Sequence, residues 1–106
     1  MASYRLSDKA DEDLSRLYEY GIIHYGQERA DRYYSGLIER FEELTENPLL
    51  WQAVDHIRPG YRRSVYGRHS IYYRIDPDEI VIVRILGQQN PQQLQSSFVL
   101  CKIPKV

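Results

Sequence analysis

Residues 58–86, RPGYRRSVYGRHSIYYRIDPDEIVIVRIL, hold three β-favouring runs joined by two short turn signals. Tyr61–Tyr66 alternates Tyr61/Arg63/Val65 with Arg62/Ser64/Tyr66. His69–Ile75 alternates His69/Ile71/Tyr73/Ile75 with Ser70/Tyr72/Arg74. Glu79–Leu86 is rich in β-branched residues, as a central strand is. Gly67-Arg68 and Asp76-Pro77-Asp78 are too short for a crossover, so successive runs must pair antiparallel. These strands form a meander. Ile71, Tyr73 and Ile75 share one face, which is expected to meet the rest of the chain.

That remainder reads as helix. Ala2–Leu6 alternates as a short first strand. Ser7 then suits an N-cap, because its hydroxyl can accept an orphan backbone N–H, and Asp8 and Asp11 fall at the positive end of the helix dipole. Ala10, Leu14, Leu17, Tyr18 and Gly21 follow at helical spacing, with Asp11, Glu12, Ser15, Arg16 and Glu19 on the other side. Gly26 closes this helix after Tyr25. A second helix from Gln27 carries Ala30, Tyr33 or Tyr34, Leu37, Phe41 and Leu44 as an apolar seam. Asn47-Pro48 stops it. A break this short makes the pair an antiparallel hairpin. Leu49–Ile57 reads as irregular, with Trp51 plugging one end of the core. The expected fold class is α+β: an N-terminal strand, a helical hairpin, and a three-stranded antiparallel meander packed on the helices.

A chain of 106 residues suits one domain, residues 1–106, with 88–106 as a C-terminal tail. No apolar run approaches the ~20 residues that span a bilayer, and no basic-then-apolar leader opens the chain. With one cysteine, Cys101, an internal disulfide is excluded, and a cytoplasmic location is expected. The histidines lack ligand spacing, so neither metal nor cofactor is expected. The net charge of −1 conceals an asymmetry. Residues 1–55 hold 6 basic and 12 acidic side chains, whereas residues 56–106 hold 8 basic and 3 acidic. The basic sheet half therefore suits an acidic partner, but the chain as a whole is not basic enough to argue direct DNA binding.

Several landmarks occur in order. Tyr4-Arg5-Leu6 leads into an acidic helix; Tyr25-Gly26 precedes Ala30-Asp31-Arg32-Tyr33; Glu46-Asn47-Pro48 ends the second helix. Ile57-Arg58-Pro59-Gly60-Tyr61-Arg62-Arg63, Gly67-Arg68-His69-Ser70-Ile71-Tyr72-Tyr73-Arg74 and Ile82-Val83-Arg84-Ile85-Leu86 follow. Over residues 4–90 this resembles the ParE toxins of the RelE/ParE superfamily. The resemblance implies a toxin that inhibits DNA gyrase and is neutralised by a ParD-like antitoxin. The alternative is a ribosome-dependent mRNA interferase of the RelE type. Gly87 stands where many relatives place a histidine or tyrosine, and Gln88 and Gln89 stand at often-basic positions, which disfavours a nuclease.

The residues themselves point the same way. RNA cleavage needs a base, a leaving-group acid and cations for the phosphate. His69 is the one sheet residue with a suitable unperturbed pKa, and its parity turns it toward the core. No catalytic residue is therefore assigned. Arg58, Arg62, Arg63, Arg68, His69 and Arg84 form the candidate target-contacting set, although Arg74 and Arg84 also suit cross-strand ion pairs. Leu14, Leu17, Tyr18, Tyr34, Leu37 and Phe41 form the candidate antitoxin-binding set, since an amphipathic partner helix needs an apolar groove.

Overall fold

The computed structural model describes residues 3–87. The elements are β1 (Tyr4–Leu6), α1 (Asp8–Tyr25), α2 (Gln27–Glu46), β2 (Gln52–Ala53), β3 (Tyr61–Tyr66), β4 (His69–Ile75) and β5 (Ile80–Gly87). The five strands make one sheet in the order β1-β5-β4-β3-β2. The α+β fold and the meander β3-β4-β5 are as the sequence indicates. The sheet extends further at both edges. β1 pairs parallel with β5, Tyr4 opposite Ile80 and Leu6 opposite Ile82. Gln52 and Ala53, within the stretch read as irregular, pair with Arg63 and Arg62. Two exposed residues carry no alternation that could have announced this strand. The tail from Gln88 onward lies outside the described residues.

Local chemistry sets the element ends. Ser7 Oγ accepts from Ala10 N at 3.1 Å, as an N-cap does, and donates to Val83 O at 2.9 Å. The cap therefore also ties the start of α1 to β5. Gly26 closes α1 through a backbone bond to Ile22 O, and Asp76 N closes the β4–β5 turn on Glu79 O at 2.9 Å.

The helices cover one sheet face. Ala10 and Leu14 of α1 and Leu37, Phe41 and Leu44 of α2 pack on Ile71, Tyr73, Ile80, Ile82 and Ile85. The parity read for β4 thus holds for Ile71 and Tyr73. The opposite face is no open charged surface. Tyr61, Tyr72, Val81 and Val83 form a second apolar cluster there, with Val54 and Ile57 from the β2–β3 segment. A bulge reconciles the two faces: Tyr72 stands opposite Arg84 but Tyr73 opposite Ile82, so Val83 is the extra residue. The inserted residue brings Ile85 back to the helical side.

One close approach fixes how α2 sits on β3. A methyl group at Gly36 would overlap the Tyr66 hydroxyl, so only glycine lets that ring lie against the helix. Arg40, one turn on, donates to Ser64 Oγ at 2.7 Å and Val65 O at 3.0 Å. Its guanidinium lies 5.3 Å from the Tyr66 ring centroid and 5.4 Å from that of Trp51. Trp51 is thus half-buried at the core margin, as expected of a plug.

Candidate functional site

Where the tip of the helical hairpin meets the β3–β4 turn and the end of β5, the surface sinks into a groove of about 740 Å³. Its floor includes Leu17, Ala30 and Ile85; Tyr20, Tyr25 and Tyr33 supply rings; Arg16, Arg29 and Arg68 supply charge. His69, Arg84 and Gly87 complete the β side.

Two buried polar clusters build this site. In the first, Tyr33 of α2 reaches the β3–β4 turn. Its hydroxyl lies 2.9 Å from Tyr66 O, 3.2 Å from Arg68 N and 2.7 Å from His69 Nδ1. A phenol has one proton and two lone pairs. With that proton on the Tyr66 carbonyl, both backbone Arg68 N–H and His69 Nδ1–H donate to Tyr33. The tautomer is assigned from this donor count. It leaves Nε2 bare whenever the ring is neutral. Burial pushes the His69 pKa below its ordinary value, and the Asp13 carboxylate partly opposes the shift. Burial likewise raises the Tyr33 pKa. Gly67 makes the contact possible: it takes φ +56°, and a Cβ there would press on the Tyr33 hydroxyl at 2.7 Å.

In the second cluster, Arg84 Nε and Nη2 meet Asp13 Oδ2 and Oδ1 at 2.7 and 2.8 Å. Asp13 also accepts from Ile85 N at 3.0 Å. Arg84 pairs with a helix and not across the strand, and Arg74 pairs with Asp76 at 3.0 Å on its own chain segment. Both differ from the cross-strand expectation. The bulge at Val83 changes the register just before Arg84, and the helix offers the carboxylate.

Of the candidate target-contacting residues, the groove gathers Arg68, His69 and Arg84. Arg68 is exposed, His69 is half-buried, and Arg84 is sealed against Asp13. Arg58 and Arg63 are half-buried elsewhere, and Arg62 donates to Trp51 O at 2.7 Å, fastening β3 to the segment before β2. Of the candidate antitoxin-binding residues, Leu14, Leu37 and Phe41 are core and present no surface, because the sheet occupies the seam they form. Leu17 lies at the core margin and lines the groove. Tyr18 also lines the groove, and its hydroxyl donates to Asp31 while accepting from Gln27. Tyr34 is 38% exposed, edge-on to Tyr18.

Sequence reasoning did not single out Asp13, Arg16, Tyr20, Tyr25, Arg29 or Tyr33 as site residues. Asp13 did leave a signal: a carboxylate inside the Ala10–Leu14–Leu17 apolar stripe must find a buried partner. The others sit on helix surfaces that look like ordinary solvated faces until the fold brings α1, α2 and β4 together. Among the described residues there is no cluster suited to a metal ion and no helix long and apolar enough to cross a membrane.

The family model for the ParE toxin of type II toxin–antitoxin systems, parDE, matches residues 4–91. The chain belongs to the ParE toxin family. Among ParE relatives, Toxin ParE1 of Caulobacter vibrioides is 35% identical over 88 residues, covering 83% of this chain and 91% of that one. Toxin ParE1 of Mycobacterium tuberculosis is 31% identical over 87 residues, covering 81% and 89%. The ParE fold is also seen in the chromosomal ParDE TA system from P. aeruginosa, with a TM-score of 0.71 and 25% identity over 84% of this chain and 98% of that one. The M. tuberculosis toxin–antitoxin complex RelBE2 shares the fold, with a TM-score of 0.62 at 22% identity over 82% and 98%.

Proposed function

We propose that this ParE-type toxin inhibits DNA gyrase by binding it, without catalysis, and that a ParD-like antitoxin neutralises it. The observation that carries the non-catalytic part is the commitment of the basic groups near the end of β5. Arg84 is closed on Asp13, His69 is held through Nδ1 by Tyr33, and the strand ends at Gly87. Arg68 remains as an exposed cation suited to contact with an acidic surface. The family match and the ParDE structural neighbour support the toxin and antitoxin parts.

A second reading draws on one feature of the same groove. A neutral imidazole with a bare Nε2 beside an exposed guanidinium resembles a base next to a phosphate-binding cation, as mRNA cleavage needs. Induction of the chain in growing cells separates the two. Gyrase inhibition stops DNA synthesis before protein synthesis falls. Early loss of protein synthesis, with new mRNA 5′ ends inside translated codons, would replace the first reading with the second.

A further inference from the structure

We infer that the hairpin-tip groove is the specificity site for the antitoxin and takes an amphipathic, carboxylate-bearing helical segment, with Arg29 and Arg68 selecting its acidic side chains. This rests on the antitoxin reading above and adds where the partner seats and what chemistry it presents. The charge balance of the groove carries the inference. Among the described lining residues, Asp13 is the one carboxylate, and Arg84 neutralises it at 2.7 Å. Arg16, Arg29 and Arg68 are exposed and leave the rim positive. The floor is aliphatic, from Leu17, Ala30 and Ile85, and offers nothing to a phosphate chain.

Tyr20 and Tyr25 stand 56% and 50% exposed at the rim, so each offers ring area together with a hydroxyl. Arg29 lies 5.8 Å from the Tyr25 ring centroid, which holds its charge at the edge of the groove. Apolar anchors at i and i+4 would fill such a floor while acidic neighbours meet the arginines. A nucleic-acid strand fits less well. The helices around the groove expose Glu12, Glu19, Glu28 and Asp31, which repel an extended polyanion but not a short acidic segment.

The test uses the full chain and the small protein encoded beside its gene. Their affinity is measured for the wild type, for R29E/R68E, and for K9E as an exposed control outside the groove. R29E/R68E is expected to weaken binding on the order of a hundredfold, with an unchanged thermal midpoint, while K9E binds as wild type. A lysine replacing a carboxylate in the partner's helical segment should restore binding to R68E. Wild-type affinity in R29E/R68E would overturn the groove assignment and leave the antitoxin reading intact. No association even with the wild type would remove the antitoxin reading and the assignment together. Tight binding of a labelled dT15 oligonucleotide, lost in R29E/R68E, would overturn the peptide assignment in favour of nucleic acid.

Discussion

Asp13 and Arg84 form a bidentate pair between α1 and β5, with side chains only 4% and 11% exposed. Asp13 also accepts the Ile85 N–H just after the bulge. One carboxylate therefore satisfies a buried guanidinium and a buried backbone donor. Asp13→Ala would leave both unpaired, at a cost of about 3–5 kcal/mol. Urea unfolding checks this. Replacing both partners with apolar residues, D13L/R84M, should recover most of the loss, since neither charge then remains buried alone. A cost for D13A well under 1 kcal/mol would mean that water reaches the pair.

Tyr33→Phe removes the acceptor of His69 Nδ1–H and of Arg68 N–H, and the donor to Tyr66 O. The expected loss is about 1–3 kcal/mol. The imidazole should also lose its fixed tautomer, which nitrogen-detected NMR of His69 would report as a mixture of Nδ1–H and Nε2–H forms.

His69 makes stability depend on pH. Its folded pKa lies below its unfolded value because burial disfavours the imidazolium. Below about 6.5 the unfolded chain binds the proton more readily, so stability is full above that pH and falls on acidification toward the folded pKa. Urea midpoints should decline between pH 7.5 and 5.5, and His69→Gln should flatten that decline. At the alkaline end, burial raises the Tyr73 pKa to about 12. The folded state resists its ionisation, so stability contributed by Tyr73 falls as pH rises above about 10 and is reduced in Tyr73→Phe.

Gly36→Ala forces the Tyr66 ring off α2, displacing the Arg40 guanidinium stacked beside it. Overpacking of this kind costs about 1–3 kcal/mol. The neighbouring Ser35→Ala, on an exposed helix position, should leave the thermal midpoint unchanged or slightly higher.

What could be read ahead of the structure was local. Ser7 as a cap, Gly26 as a helix end and the Asp76 turn each depend on a few neighbouring residues, and the faces of Ile71 and Tyr73 follow from a period of two. What escaped was set by distance along the chain. β1 joins a strand 76 positions away in register, Tyr4 to Ile80, so its parallel pairing has no local trace. Arg84 looked like a surface contact because its partner Asp13 lies on the first helix. Leu14, Leu37 and Phe41 look alike as core or as a partner's groove until the sheet is placed. The groove is assembled from α1, α2, β4 and β5, so none of its rim arginines stood out from an ordinary solvated helix or turn.

Supercoiling of relaxed plasmid by purified gyrase, with this chain titrated from equimolar to clear excess, tests the central claim most directly. The account predicts loss of supercoiling with added chain and its restoration when the antitoxin is added. Full supercoiling at every excess, from a preparation that arrests growth on induction, would contradict it.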